Sequence, residues 1–250
     1  MATVSRYATV KTANLADDVV IGAFSYVGPE VTIGPGCVIE DNVTITGRTT
    51  LGEDNHVFPM AVIGSPAVEG DDGVCEIGQA NRIREHVTIA SGADGPTRIA
   101  HDCLIMIGTK IGGFASIGSH VVLANFTTVG SRAVLEDYVR GSAFPVVNDG
   151  VTVGAYSFMK GYSHIDRDAP PFAMLEGDPY RVRGINTHNL QQCGFGQDDI
   201  RDLKRAYREV YDGNRRQPNR RVLDRMLANG ELSQLVRQAV EVIAKEVPSE

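Results

Sequence analysis

At 250 residues, 42% hydrophobic and 22% charged, the chain reads as a soluble globular protein rather than a disordered or fibrous one. Its net charge of −7 argues against non-specific nucleic-acid binding as a main activity, and no apolar run approaches the roughly 18 residues of a membrane span. The opening MATVSRYATVKTANLADD lacks the charged start and apolar centre of a secretory signal, and Cys37, Cys75, Cys103 and Cys193 show neither paired nor metal-like spacing, so a cytoplasmic protein with reduced thiols is expected.

From Leu15 an aliphatic residue returns at every sixth position, through Ile21, Val27, Ile33, Ile39, Ile45, Leu51 and Val57 to Ile63. The count resumes at Ile77, Ile83 and Ile89, then runs from Ile99 to Ile165 with Gly141 as its one non-aliphatic member. A helix repeats every ~3.6 residues and a strand every ~2, and neither sustains six over this length. A chain that turns a corner every six residues does, because each aliphatic residue then points into one shared core. Three sides complete a coil, and equivalent positions on successive coils stack about 4.8 Å apart. Glycine often follows the aliphatic residue, as at Gly22, Gly34, Gly112, Gly118 and Gly154, and is expected to permit the turn backbone.

Two excursions interrupt the period, between Ile63 and Ile77 and between Ile89 and Ile99, and loops ejected from a regular scaffold often carry function. After Ile165 the segment DRDAPPFAMLEGDPYRVRGIN reads as a crossover loop. Beyond it, residues 198–211 place Ile200, Leu203, Ala206, Val210 and Tyr211 on one helical face, and residues 219–230 and 231–247 form two further helical segments. The predicted fold class is therefore a left-handed parallel β-helix of hexapeptide repeats over 1–170, with a crossover loop and C-terminal α-helical cap over 171–250. Such a stack buries its core along its own axis and leaves flat outer faces, which favour a closed symmetric oligomer with ligand clefts between subunits.

NRIREHVTI (81–89), LIM (104–106), VLAN (122–125), DAPPF (168–172) and the GDPYRVRGIN…GF stretch (177–195) resemble the UDP-N-acetylglucosamine O-acyltransferases, and the likeness extends over nearly the whole chain. The resemblance implies a homotrimer, no metal or other cofactor, and acyl transfer from acyl carrier protein to a sugar hydroxyl. It also implies losses at the site. Gly113 stands where the family has its general-base histidine, Arg132 and Asn148 at two further active-site histidines, and Lys110 at one that helps to bind substrate. Cys193 replaces an arginine that contacts the nucleotide diphosphate, and the first excursion is shortened. A hydroxyl is a poor nucleophile at neutral pH, and a positioned base contributes roughly 10²–10⁴-fold. Glycine supplies none.

Candidate replacements follow from what the chain does offer. Lys110 and Arg132 suit an anionic group, and Asn148 and Asp149 suit hydrogen bonds to a small polar ligand. Gly161 matches the family position that limits acyl length and leaves room for a long chain, while His164, in the column above Lys110, is placed for the far end of a ligand. His101, His120 and Asp137 fall on one side of three successive coils and form a candidate catalytic group, a displaced base with a carboxylate orienter. The plainer alternative is a routine turn glycine at Gly161 and a solvated outer face for the others. The expected function is acyl transfer from an acyl carrier protein or coenzyme A thioester to a small-molecule acceptor other than, or in addition to, UDP-N-acetylglucosamine. An amine, or a hydroxyl on a substrate that assists itself, fits best, since an unprotonated amine needs no prior deprotonation. The alternative is a non-catalytic homologue that binds a ligand or a partner protein.

Overall fold

Each six-residue unit forms a two-residue strand and a turn. Leu104–Ile105, Lys110–Ile111 and Ser116–Ile117 are the three sides of one coil, and Val122–Leu123 returns parallel to Leu104–Ile105 to begin the next. The first strand residue faces out and the second faces in. Ile39, Ile45, Ile83, Ile89, Ile105, Ile111 and Ile117 are accordingly fully buried in one axial core, each contributing about 1.5–3 kcal/mol. The molecule, a computed structural model describing residues 1–66, 73–93, 95–212, 217–228 and 232–245, is a left-handed parallel β-helix with a helical C-terminal region.

Among the described residues the first face carries eleven strands from Thr3–Val4 to Arg181–Ile185, the second nine ending at His164–Ile165, and the third seven ending at Thr152–Val153. The two excursions leave the stacking intact. Val62 pairs with Thr88 and Thr88 with Lys110, so the coils keep their register across both interruptions, while the ends of the first excursion extend the strands: Ser65 pairs with Ala90 after a one-residue shift, and Val74 pairs with Arg48. Residues 67–72 of the first excursion lie outside the described residues.

The turns differ from expectation. The left-handed backbone is carried mainly by residues other than glycine: Phe24, Ala80, His120, Phe126, Arg132, Tyr138, Phe144, Tyr156 and Tyr162 all have φ near +60°. The glycines after the inward aliphatic residues serve close approach between coils. A Cβ on Gly112 would lie 2.6 Å from Ser131 N, and one on Gly34 would lie 2.9 Å from Gly52 C. The φ of +59° at Arg132 is sterically costly for a side chain, and the neighbouring coil compensates by accepting its N–H at Gly113 O, 3.0 Å away.

Inside the edge between the third and first faces runs a polar ladder. Asn55 Nδ2 donates to Gly52 O and Gly78 O, Asn81 Nδ2 donates to Asn55 Oδ1 and Ala100 O, and Cys103 N donates to Asn81 Oδ1. These buried amides satisfy turn carbonyls that the strands leave unpaired.

Past Ile165 the chain does more than cross over. Ala173–Glu176 joins the first face parallel to Phe158–Met159, and Arg181–Ile185 folds back antiparallel upon it. Four helices follow among the described residues: α1 (Thr187–Gln192), α2 (Gln197–Val210), α3 (Arg220–Ala228) and α4 (Gln234–Lys245). The short α1 had no clear periodic signal, because it is held by caps and edge contacts: Asn186 Oδ1 accepts from Asn189 N, and Asn189 Nδ2 donates to Tyr138 O at 2.9 Å. Helix α2 packs Ile200, Leu203, Ala206, Tyr207 and Val210 inward, against Arg181–Ile185, α3 and α4.

Candidate active site

The edge between the second and third faces stacks Gly113, then Ser131 and Arg132, then Asn148 and Asp149 on successive coils. Gly113 is buried and presents only backbone. The Arg132 guanidinium lies over the Phe114 ring, 4.4 Å from its centroid, which holds a cation against an otherwise apolar turn. One Asp149 carboxylate oxygen accepts the Ser131 N–H at 2.8 Å, so this residue closes the coil beneath it.

On the second face itself the outward column reads Lys110, Thr128, Val146, His164. Lys110 is exposed at its foot. His164 stands at its head, with Nε2 2.8 Å from Asn148 Oδ1 and Nδ1 2.9 Å from Asp178 Oδ1. Asp178 comes from the turn between Ala173–Glu176 and Arg181–Ile185. No periodic pattern pointed to it, because it lies beyond the last regular repeat.

The opposite margin of the second face is aromatic. Phe126, Phe144 and Tyr162 stack with ring centroids 5.3 and 5.0 Å apart, and all three are exposed. Their 18-residue spacing was a readable signal that the hexapeptide count passed over. Gly161 adjoins Tyr162, and a Cβ there would meet only Ala143 O at 3.3 Å and Ser142 Oγ at 3.6 Å, leaving its outer side open. One face thus has a polar margin, an aromatic margin and a column of mixed residues between them.

His101, His120 and Asp137 do follow one another on successive coils, along the edge between the third and first faces. Their polar atoms do not converge. His101 Nδ1 accepts the Gln79 N–H at 3.0 Å, and Asp137 Oδ1 accepts the Ser119 N–H at 2.7 Å. The His120 ring stacks on Tyr138 at 4.6 Å, and the carboxylate beside it is Asp102, at 3.9 Å from Nδ1. Asp137 therefore does for its edge what Asp149 does for the polar one: it ties one coil to the next. Higher on that edge, α1 and Phe195 cover Tyr138, Tyr156 and Phe172.

Elsewhere, burial pushes the Cys75 thiol up to about 12 and the Cys103 thiol up to about 11, which leaves both as inert core residues. Cys193 is half-buried, with its thiol 3.7 Å from Asn189 Oδ1. A cavity of about 390 Å³ between Arg181–Ile185 and α2 is lined by Arg183, Lys204, Tyr207, Arg208, Tyr211 and Asp212, a basic recess on an acidic molecule.

Comparison with known proteins bears on this arrangement. Residues 168–247 match the family model described as UDP-N-acetylglucosamine O-acyltransferase, domain 2, and residues 12–47 match that of the bacterial transferase hexapeptide. The acyl-[acyl-carrier-protein]–UDP-N-acetylglucosamine O-acyltransferase of Saccharophagus degradans is 36% identical over 206 residues, covering 80% of each chain. The enzyme of the same name from Syntrophobacter fumaroxidans is 37% identical over 207 residues, again covering 80% of each. Among solved structures, LpxA from Acinetobacter baumannii superposes with a TM-score of 0.86 at 26% identity, covering 96% of both chains. The UDP-N-acetylglucosamine acyltransferase of Francisella novicida gives the same TM-score and identity over 96% of this chain and 90% of its own.

Proposed function

The chain belongs to the UDP-N-acetylglucosamine O-acyltransferase family, and from that premise we propose that it moves an acyl group from an acyl carrier protein or coenzyme A thioester to a small polar acceptor, within a homotrimer. The observation that carries the reading is the second face with its two unlike margins. The exposed rings of Phe126, Phe144 and Tyr162, with the open flank of Gly161, suit an apolar acyl chain. Lys110, Arg132, Asn148 and Asp149 on the other side suit an acceptor with anionic and hydrogen-bonding groups.

The acceptor differs from, or extends beyond, UDP-N-acetylglucosamine. Gly113 offers no base at the level where the family pattern has its histidine, and Cys193 offers a diphosphate nothing comparable to a bidentate guanidinium. An amine, or a hydroxyl deprotonated by a group on its own substrate, relieves the first loss. The donor's carrier docks on the basic recess of Arg183, Lys204 and Arg208, since a carrier protein presents an acidic surface. The glycine at 113 equally favours a second reading, a homologue that binds its ligand without transfer.

The deciding experiment offers the purified protein carrier-protein and coenzyme A thioesters of several lengths, with a panel of amines and hydroxyl compounds. Thiol release and intact mass are then followed. Acceptor-dependent release with an acylated product establishes transfer. Tight binding of a ligand with no release from any pair establishes the second reading. Parallel assays of His101→Ala and His120→Ala report whether the edge between the third and first faces takes part.

A further inference from the structure

We propose that His164, oriented by Asp178, is the acid–base residue of this chain's acyl transfer. The inference rests on the transfer reading above and names the group that does the work missing at Gly113. Among the described histidines, His101 spends Nδ1 on a backbone N–H, and His120 has its nearest carboxylate at 3.9 Å. His56 bonds Glu40 on the first face, its ring stacked 4.1 Å from Phe58. His164 instead joins a carboxylate at Nδ1 to a polar, replaceable partner at Nε2, and its side chain is 35% exposed.

The dyad is built into the backbone. His164 N donates to Gly177 O at 2.9 Å and Tyr180 N donates to His164 O at 3.0 Å, so the turn that carries Asp178 is fastened on both sides to the strand that carries His164. With Nδ1–H donating to Asp178, the ring's basic nitrogen is Nε2, directed at Asn148 on the polar margin. The Asn148 amide matches either state of the ring. Its oxygen accepts from a protonated Nε2, and its NH₂, turned inward, donates to a neutral one.

The acceptor displaces Asn148 from Nε2. As the acceptor oxygen or nitrogen attacks the thioester carbonyl carbon, Nε2 takes its proton and the C–O or C–N bond forms. Collapse of the tetrahedral intermediate breaks the C–S bond, and the departing sulfur takes that proton from Nε2 as the free thiol. Aspartate stays ionised throughout and steadies the imidazolium. His164 lies three coils above Lys110, so the reacting carbonyl sits about 14 Å nearer the C-terminal cap than Gly113 would place it.

Steady-state thiol release, with whichever donor and acceptor the panel identifies, tests this. His164→Ala is expected to lower kcat/KM by about 10²–10⁴-fold, and Asp178→Asn by less, while His188→Ala, at an exposed position of α1, leaves it unchanged. The wild-type pH profile is expected to carry an acid limb that is absent from His164→Ala and displaced in Asp178→Asn. The groups facing the ring are Asp178 from the turn and neutral Asn148 from the coil beneath, while Asp166 and Arg167, just past the end of its own strand, pair with each other at 2.7 Å. Wild-type turnover in a folded His164→Ala variant overturns the assignment and leaves transfer standing. If that variant does not fold, wild-type kcat/KM with an undisplaced acid limb in Asp178→Asn overturns it. Failure of the wild type to release thiol from any pair overturns both.

Discussion

A Cβ on Gly112 would meet Ser131 N at 2.6 Å and Gly130 C at 2.9 Å, both backbone atoms of the next coil that cannot move aside independently. Ala80, by contrast, sits at φ +58° with a methyl group its backbone accommodates poorly. The two positions predict opposite responses to the same pair of residues. Gly112→Ala is expected to destabilise by about 1–3 kcal/mol through overpacking, whereas Ala80→Gly raises stability by up to about 1 kcal/mol, both measured by denaturant unfolding. The six-residue pattern marked the glycines but not their role, because close approach between coils is a property of residues 18 apart. The left-handed corners went unread for the opposite reason: residues as unlike as Phe24, Asp102 and Arg132 occupy them.

The elements inherit this division between what a period reveals and what it hides. From Val20–Ile21 to His164–Ile165 each strand carries an inward member of the six-residue series, and its face follows from the count. Buried amides interrupt the apolar logic, and their value lies in the neighbours they satisfy. Replacing Asn81 by Leu leaves Asn55 Oδ1 only the backbone N–H of residue 81, and removes the side-chain donor to Ala100 O and the acceptor of Cys103 N–H, at a predicted cost of about 2–4 kcal/mol in equilibrium unfolding. The antiparallel hairpin after the last repeat depends on pairing that no local pattern announces, which is why Asp178 stayed hidden while His164 and Asn148 were legible from their columns. Hydrogen bonds from Lys160 and Arg183 hold the Glu176 carboxyl below the usual carboxylate range and tie this hairpin to the coil beneath. A lowered value stabilises the fold above the unfolded-state range and is lost as pH falls through the folded value. Glu176→Gln is therefore expected to lower the melting temperature at pH 7, with the difference closing below about pH 4 in thermal scans.

At the scale of the molecule, the outward column of the first face carries Val38, Leu104, Val122, Phe158 and Met174, all half-buried even in one chain, with His56, Arg82 and Arg140 set among them. This is the surface on which the trimer is expected to close. Light scattering should give about three times the 26.9 kDa chain mass, and Leu104→Glu should reduce it towards a single chain while leaving the circular dichroism of the β-helix in place. The uniform coil has a further consequence, for ancestry. Moving a side chain 18 residues along changes its height by one coil spacing and leaves its bearing almost unaltered, so the scaffold behaves like a rack with evenly spaced pegs. Chemistry abandoned at one level can be re-hung at another by ordinary point substitutions, without any intermediate that fails to fold. A lineage built on such a rack can exchange its substrate while its backbone stays recognisable, and comparison of backbones alone will then understate how far the chemistry has travelled.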